Sequence, residues 1–128
     1  MSWDSLRELM ALQDQLGRGP EGGWTPPVDV FETDDRYVVT AELPGLTRDD
    51  IQIEVHDGEL VIRGRRPEPG VPPAAYLQME RLQGPFGRAF LFTEAIDAAR
   101  IAAEFRDGVL TITVPKSARP EPRRIDVT

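Results

Sequence analysis

The sequence predicts an all-β protein, an immunoglobulin-like antiparallel β-sandwich with a short N-terminal helical arm and an extended C-terminal tail. Three observations carry this reading. From Val28 onward apolar and polar residues alternate with period two, the pattern of strands buried on one face. Asp57-Gly58 and Asp107-Gly108 each stand between alternating runs, and Asp-Gly is a strong hairpin signal because such turns need positive φ angles. No helical pattern separates the runs, so the crossovers of a parallel α/β sheet are missing.

The elements follow in chain order. Residues 2–16 read as a helix, with Ser5 and Glu8 at capping-box spacing and Asp4 as a rival cap. Its apolar stripe, Trp3, Leu6, Leu9, Met10, Leu12 and Leu16, needs a partner surface, either its own domain or another molecule. Residues 17–27 (GRGPEGGWTPP) are rich in Gly and Pro and predict a flexible linker. Tyr37, Val39, Ala41 and Leu43 then alternate with Val38, Thr40 and Glu42 until Pro44-Gly45 closes the strand. Ile51, Ile53 and Val55 define the next strand, and Leu60 and Ile62 the one after Asp57-Gly58. Four prolines within 67–73 mark a semi-rigid connection. Tyr76, Leu77 and Met79 predict a short strand, and Phe86, Phe90 and Phe92 lie on one face of another. Ile101, Ala103 and Phe105 lead through Asp107-Gly108 to Leu110, Ile112 and Val114. Seven or eight short strands with regular turns suit a sandwich. The expected division is arm and linker at 1–24, sandwich at 25–116 and tail at 117–128.

Composition narrows the function. A chain of 128 residues suits one domain with short appendages. The absence of cysteine removes disulfides and thiolate metal sites, and a lone histidine, His56, excludes a histidine-rich one. A net charge of −7 argues against a nucleic-acid partner, whose binding rests on neutralising phosphates. No apolar run approaches the ~20 residues that span a bilayer, and residues 1–10 lack a signal peptide's pattern, so the expected setting is the cytoplasm without stable membrane insertion. Lys116 is the single lysine among 15 basic residues; the arginine bias suits interface ion pairs or reflects base composition.

Nothing in the pattern points to catalysis. His56 stands at a strand end beside a turn, and Asp34-Asp35 and Asp49-Asp50 read as turn chemistry. Neither acidic pair has the spacing of a calcium loop, and no glycine-rich segment lies between a strand and a helix. No enzyme activity, cofactor or metal is expected.

Residues 28–66, with the Leu43-Pro44-Gly45 turn and the acidic pair after it, resemble the first half of an α-crystallin domain. Residues 104–116 (EFRDGVLTITVPK) resemble its most specific signature, and Glu80-Arg81 with Gly84–Phe92 is similar to the intervening part of the bacterial and plant type. Thr93 departs from the proline common there. The resemblance is to small heat-shock proteins, with a short arm for that family. It implies an ATP-independent holdase that captures partly unfolded proteins, assembles with itself, and passes clients to ATP-dependent refolding chaperones. The alternative is a CS-type co-chaperone or adaptor module on the same sandwich, against which residues 75–81 and 125–127 argue.

The resemblance also implies sites. A strand exchanged between protomers matches Ala75–Arg81, with Tyr76, Leu77, Met79, Arg81 and Arg88 at the dimer interface. Ile125 and Val127 match a C-terminal anchor, whose acceptor groove would lie between strands carrying Ile51, Ile53, Val55, Ala103 and Phe105. Client capture is assigned to the arm residues Trp3, Leu6, Leu9, Met10 and Leu16, with the groove second.

Overall fold

The computed structural model describes residues 23–117. They form strands β1 (Val28–Glu32), β2 (Arg36–Glu42), β3 (Ile51–His56), β4 (Glu59–Arg66), β5 (Gly84–Leu91), β6 (Ala102–Arg106) and β7 (Val109–Pro115). One sheet has the order β1-β2-β7-β6 and the other β3-β4-β5, with antiparallel pairing throughout. The only helical pieces among the described residues are three short 3₁₀ turns. The expected helix at 2–16 and the tail anchor lie outside the described residues.

Local chemistry explains the connections. Asp57 and Gly58 have φ values of 48° and 78°, and Asp107 and Gly108 have 53° and 77°. Positive φ at both central residues is the type I′ geometry, whose twist matches that of the strands it joins. At Leu43–Leu46 the proline presets one central φ, Gly45 supplies the other at 83°, and the Leu46 amide donates to the Leu43 carbonyl at 3.4 Å. Asp50 accepts from the Thr47 amide at 2.8 Å and from its hydroxyl at 3.2 Å, so the second acidic pair does serve a turn. In the β1–β2 hairpin, Thr33 Oγ1 donates to Asp35 at 2.8 Å.

The core lies between the sheets. Tyr37, Val39 and Ala41 of β2 and Leu110, Ile112 and Val114 of β7 face Leu60 and Ile62 of β4 and Phe86 of β5. Tyr37 and Phe92 stack with ring centroids 4.5 Å apart. At Gly64 of β4 the sheet passes so close to the preceding turn that a Cβ would sit 2.0 Å from the Asp50 carbonyl oxygen.

Two segments differ from expectation. Trp24 stands in the expected linker, yet it is 4% exposed and belongs to the core. Its amide donates to the Pro85 carbonyl at 3.0 Å, its indole N–H to Gly84 at 3.3 Å, and its ring lies 5.1 Å from Phe86. An indole is large enough to close the open corner beside β5 while its N–H still finds an acceptor. The segment before β1 is therefore built into the sandwich. The second difference is at Tyr76–Met79, where no strand forms: Pro73–Ala75 make a 3₁₀ turn and residues 76–83 join no ladder. A strand exists by pairing, and within one chain this segment meets no free ladder.

Candidate functional site

The structure brings Ile51, Ile53, Ala103 and Phe105 together in a cleft of about 270 Å³ between β3 and β6, at one margin of each sheet. Leu110 forms its floor, and Arg48 and Glu104 stand at its rim. Val55 is half-buried but does not line the cleft. The family resemblance implied the apolar lining; it gave no sign of the two rim charges.

A second cleft of about 270 Å³ lies under the proline-rich loop. Tyr76, Met79 and Arg81 line it, with Arg66 and Gly45 on the sandwich side. Leu77 is fully exposed at 104%. Val71, Met79 and Leu82 are also exposed, so the loop buries little of its apolar surface on its own chain. The margin strand β1 exposes Val30 and Phe31, adjacent residues that point to opposite faces of the sheet.

Arg88 is half-buried on β5, opposite Ile62 of β4. One of its amino groups donates to the Pro26 carbonyl at 3.4 Å and its guanidinium lies 5.3 Å from the Phe90 ring. Within one chain it thus supports the segment that also carries Trp24.

Lys116 closes the other end. Its side chain is 9% exposed, with Nζ 2.6 Å from Glu32 and 3.1 Å from Glu94, and 5.1 Å from the centre of the Tyr37 ring. The bond from Lys116 holds the Glu32 carboxyl below its ordinary range, and the same bond, aided by Glu94, raises the ammonium. The carboxylate's contribution is lost only as pH falls through its lowered pKa, and the ammonium's only as pH rises through its raised pKa. The tie between β1 and the end of β7 is therefore constant through neutral pH.

His56 is exposed, with Nε2 3.2 Å from Asp57 at the hairpin turn. Among the described residues no group of His, Asp and Glu is arranged to hold a metal ion, and no helix is long and apolar enough to cross a membrane.

Known proteins share this architecture. Residues 29–128 match the Hsp20/alpha crystallin family. A 17.0 kDa class II heat shock protein of Zea mays is 42% identical over 99 residues, 77% of this chain and 64% of the maize protein's own length. The 18 kDa antigen of Mycobacterium leprae is 32% identical over 128 residues, 99% of this chain and 85% of the other. Among solved structures, a small heat-shock protein from Xylella fastidiosa, with a distinct high order structure of its own, superposes with a TM-score of 0.72. It is 36% identical, and the match covers 83% of this chain and 98% of that one. Heat shock protein 16.0 of Schizosaccharomyces pombe gives a TM-score of 0.68 at 32% identity, over 81% and 97% of the two chains. With the sandwich, its hairpins and most of the sequence matched, the chain belongs to the Hsp20/alpha crystallin family of small heat-shock proteins.

Proposed function

We propose that the protein is an ATP-independent holdase that binds partly unfolded proteins in the cytoplasm, keeps them from aggregating, and yields them to ATP-dependent refolding chaperones. It performs no covalent chemistry. The observation that carries this reading is where apolar surface stays uncovered: the β1 margin, the 67–83 loop, and the cleft between β3 and β6. Non-native proteins expose apolar surface of their own, and a chaperone must meet it without precipitating. The acidic balance of the chain serves the second demand.

The same surfaces suit self-assembly. Val30 and Phe31 flank an open ladder, while Leu77 and Met79 sit on a loop with nothing to pair against. Adding the 75–81 segment to a neighbour's β1 would satisfy both, because an unpaired margin accepts a strand through its main chain. Arg81 and Arg88 then face the partner. Deleting residues 68–80 is expected to leave a folded monomer with an unchanged sandwich. A dimer mass that survives the deletion, measured by native mass spectrometry, would sink strand exchange.

The arm residues Trp3, Leu6, Leu9, Met10 and Leu16 carry most client capture, and the cleft adds to it. The test is light scattering of a heat-labile client without nucleotide. The full chain is expected to suppress scattering at near-stoichiometric amounts, and removal of residues 1–23 to reduce suppression several-fold while the melting temperature holds. Undiminished scattering with the full chain would refute the holdase reading. A lone monomer that leaves scattering untouched but binds another chaperone would favour the CS-type adaptor.

A further inference from the structure

The loop that runs over residues 67–83 leaves the sandwich at Arg66 and returns at Gly84, and these two residues are register partners on β4 and β5. Arg66 is half-buried there and gathers three separate pieces of chain. One amino group of its guanidinium donates to the Leu82 carbonyl at the returning end of the loop. The other donates to the Pro44 carbonyl at 3.0 Å, in the Leu-Pro-Gly turn. The face of the guanidinium lies 4.4 Å from the centre of the Trp24 ring, in the segment just before β1.

We propose that Arg66 is a positioning residue for dimerisation: it fixes the two ends of the exchanged loop against the segment leading into β1, and so sets how tightly two chains pair. This rests on the strand-exchange reading above. The chemistry requires an arginine, because a planar fork can meet two carbonyls and still stack on an indole, whereas an ammonium is a point charge on a flexible stem. Ordering the ends of a long loop before it pairs removes part of the entropy that association would otherwise cost.

The neighbouring Arg81 adds direction. It lies against Gly45, where a Cβ would be 3.3 Å from its amino nitrogen, and it shares the loop cleft with Arg66. Burial first, and then the charge of Arg81, lower the basicity of Arg66. Two like charges in one cleft repel, and the repulsion falls when Arg81 departs with the loop. The loop is therefore held firmly at its base and weakly along its length.

The test uses the full chain carrying Arg66→Met or Arg66→Lys, with the dissociation constant between folded chains read from sedimentation over a dilution series well below the melting temperature. Arg66→Met is expected to raise that constant about ten-fold or more, the scale of losing charge-assisted hydrogen bonds, and Arg66→Lys to raise it less. A purely structural role would lower the melting temperature and leave the dissociation constant within two-fold of the parent, which overturns the proposal. Should the methionine variant fail to fold, the lysine variant decides by the same criterion. The chain lacking residues 68–80 is run in parallel. If it stays dimeric, strand exchange itself fails and Arg66 positioning fails with it. If it is monomeric while the Arg66 variants pair like the parent, positioning alone is overturned.

Discussion

Replacing Gly64 with alanine is expected to leave the domain unfolded or nearly so. A methyl group there would fall 2.0 Å from the Asp50 carbonyl oxygen and 2.6 Å from Phe86 Cζ. Neither neighbour can yield. The Asp50 oxygen belongs to a turn closed by Thr47, and Phe86 is wedged in the core against Trp24. Overpacking a well-filled core costs roughly 1–3 kcal/mol when side chains can shift, and a backbone collision adds to that. Domains of this size have only about 5–15 kcal/mol in hand. Urea denaturation of the variant should show a loss above about 3 kcal/mol or no cooperative transition. Shortening Phe86 as well would not rescue it, because the contact with the Asp50 backbone remains. An unfolding midpoint equal to the parent's would mean that β4 does not pass this close to the turn.

The second large effect concerns assembly. Changing Ile125 and Val127 together to alanine is expected to remove all species above the dimer while leaving the melting temperature nearly unchanged. Two aliphatic side chains entering the β3–β6 cleft gain roughly 3–6 kcal/mol gross, and ordering the tail and immobilising a partner cost a comparable amount. Each anchor would thus be marginal, and only several acting together would hold an oligomer. Losing even half of the burial tips the balance. The acceptor side gives the reciprocal result: Ala103→Glu places a charge among Ile51, Ile53 and Phe105 and should yield the same dimers. Native mass spectrometry distinguishes the outcomes. A parent protein with no species above the dimer would show that the tail does not serve assembly.

Much of this architecture is legible in the sequence because its signals are local. Asp57-Gly58 and Asp107-Gly108 name their turns, and all four residues have the positive φ that such turns require. The alternation of Tyr37, Val39 and Ala41 fixes which face is buried, since period two leaves no other choice. What sequence reading missed is non-local. Trp24, in a run of Gly and Pro, reads as linker; its role comes from Pro85, Gly84 and Phe86, some sixty residues away. Its one available sign was a large aromatic residue where a flexible segment has no use for one. Tyr76–Met79 alternates like a strand yet joins no ladder within one chain, because a strand needs a partner that alternation cannot supply. The cleft was foreseeable in its apolar lining through the family resemblance, whereas the rim charges Arg48 and Glu104 depend on how β3 and β6 come together.

The surroundings of Lys116 bear on how the protein reacts with reagents. It is the single lysine of the chain, and its amine is engaged by two carboxylates and shielded by an aromatic ring. Acylation needs the neutral, accessible amine, and this one is held protonated and enclosed. Amine-directed crosslinkers would therefore find almost nothing to join except the chain's own amino terminus, and a blank gel would say nothing about neighbouring subunits. The same enclosure makes Lys116 a gauge: because Glu32 belongs to β1, the rate at which an acylating reagent reaches the amine measures how often that strand lifts away from the sheet.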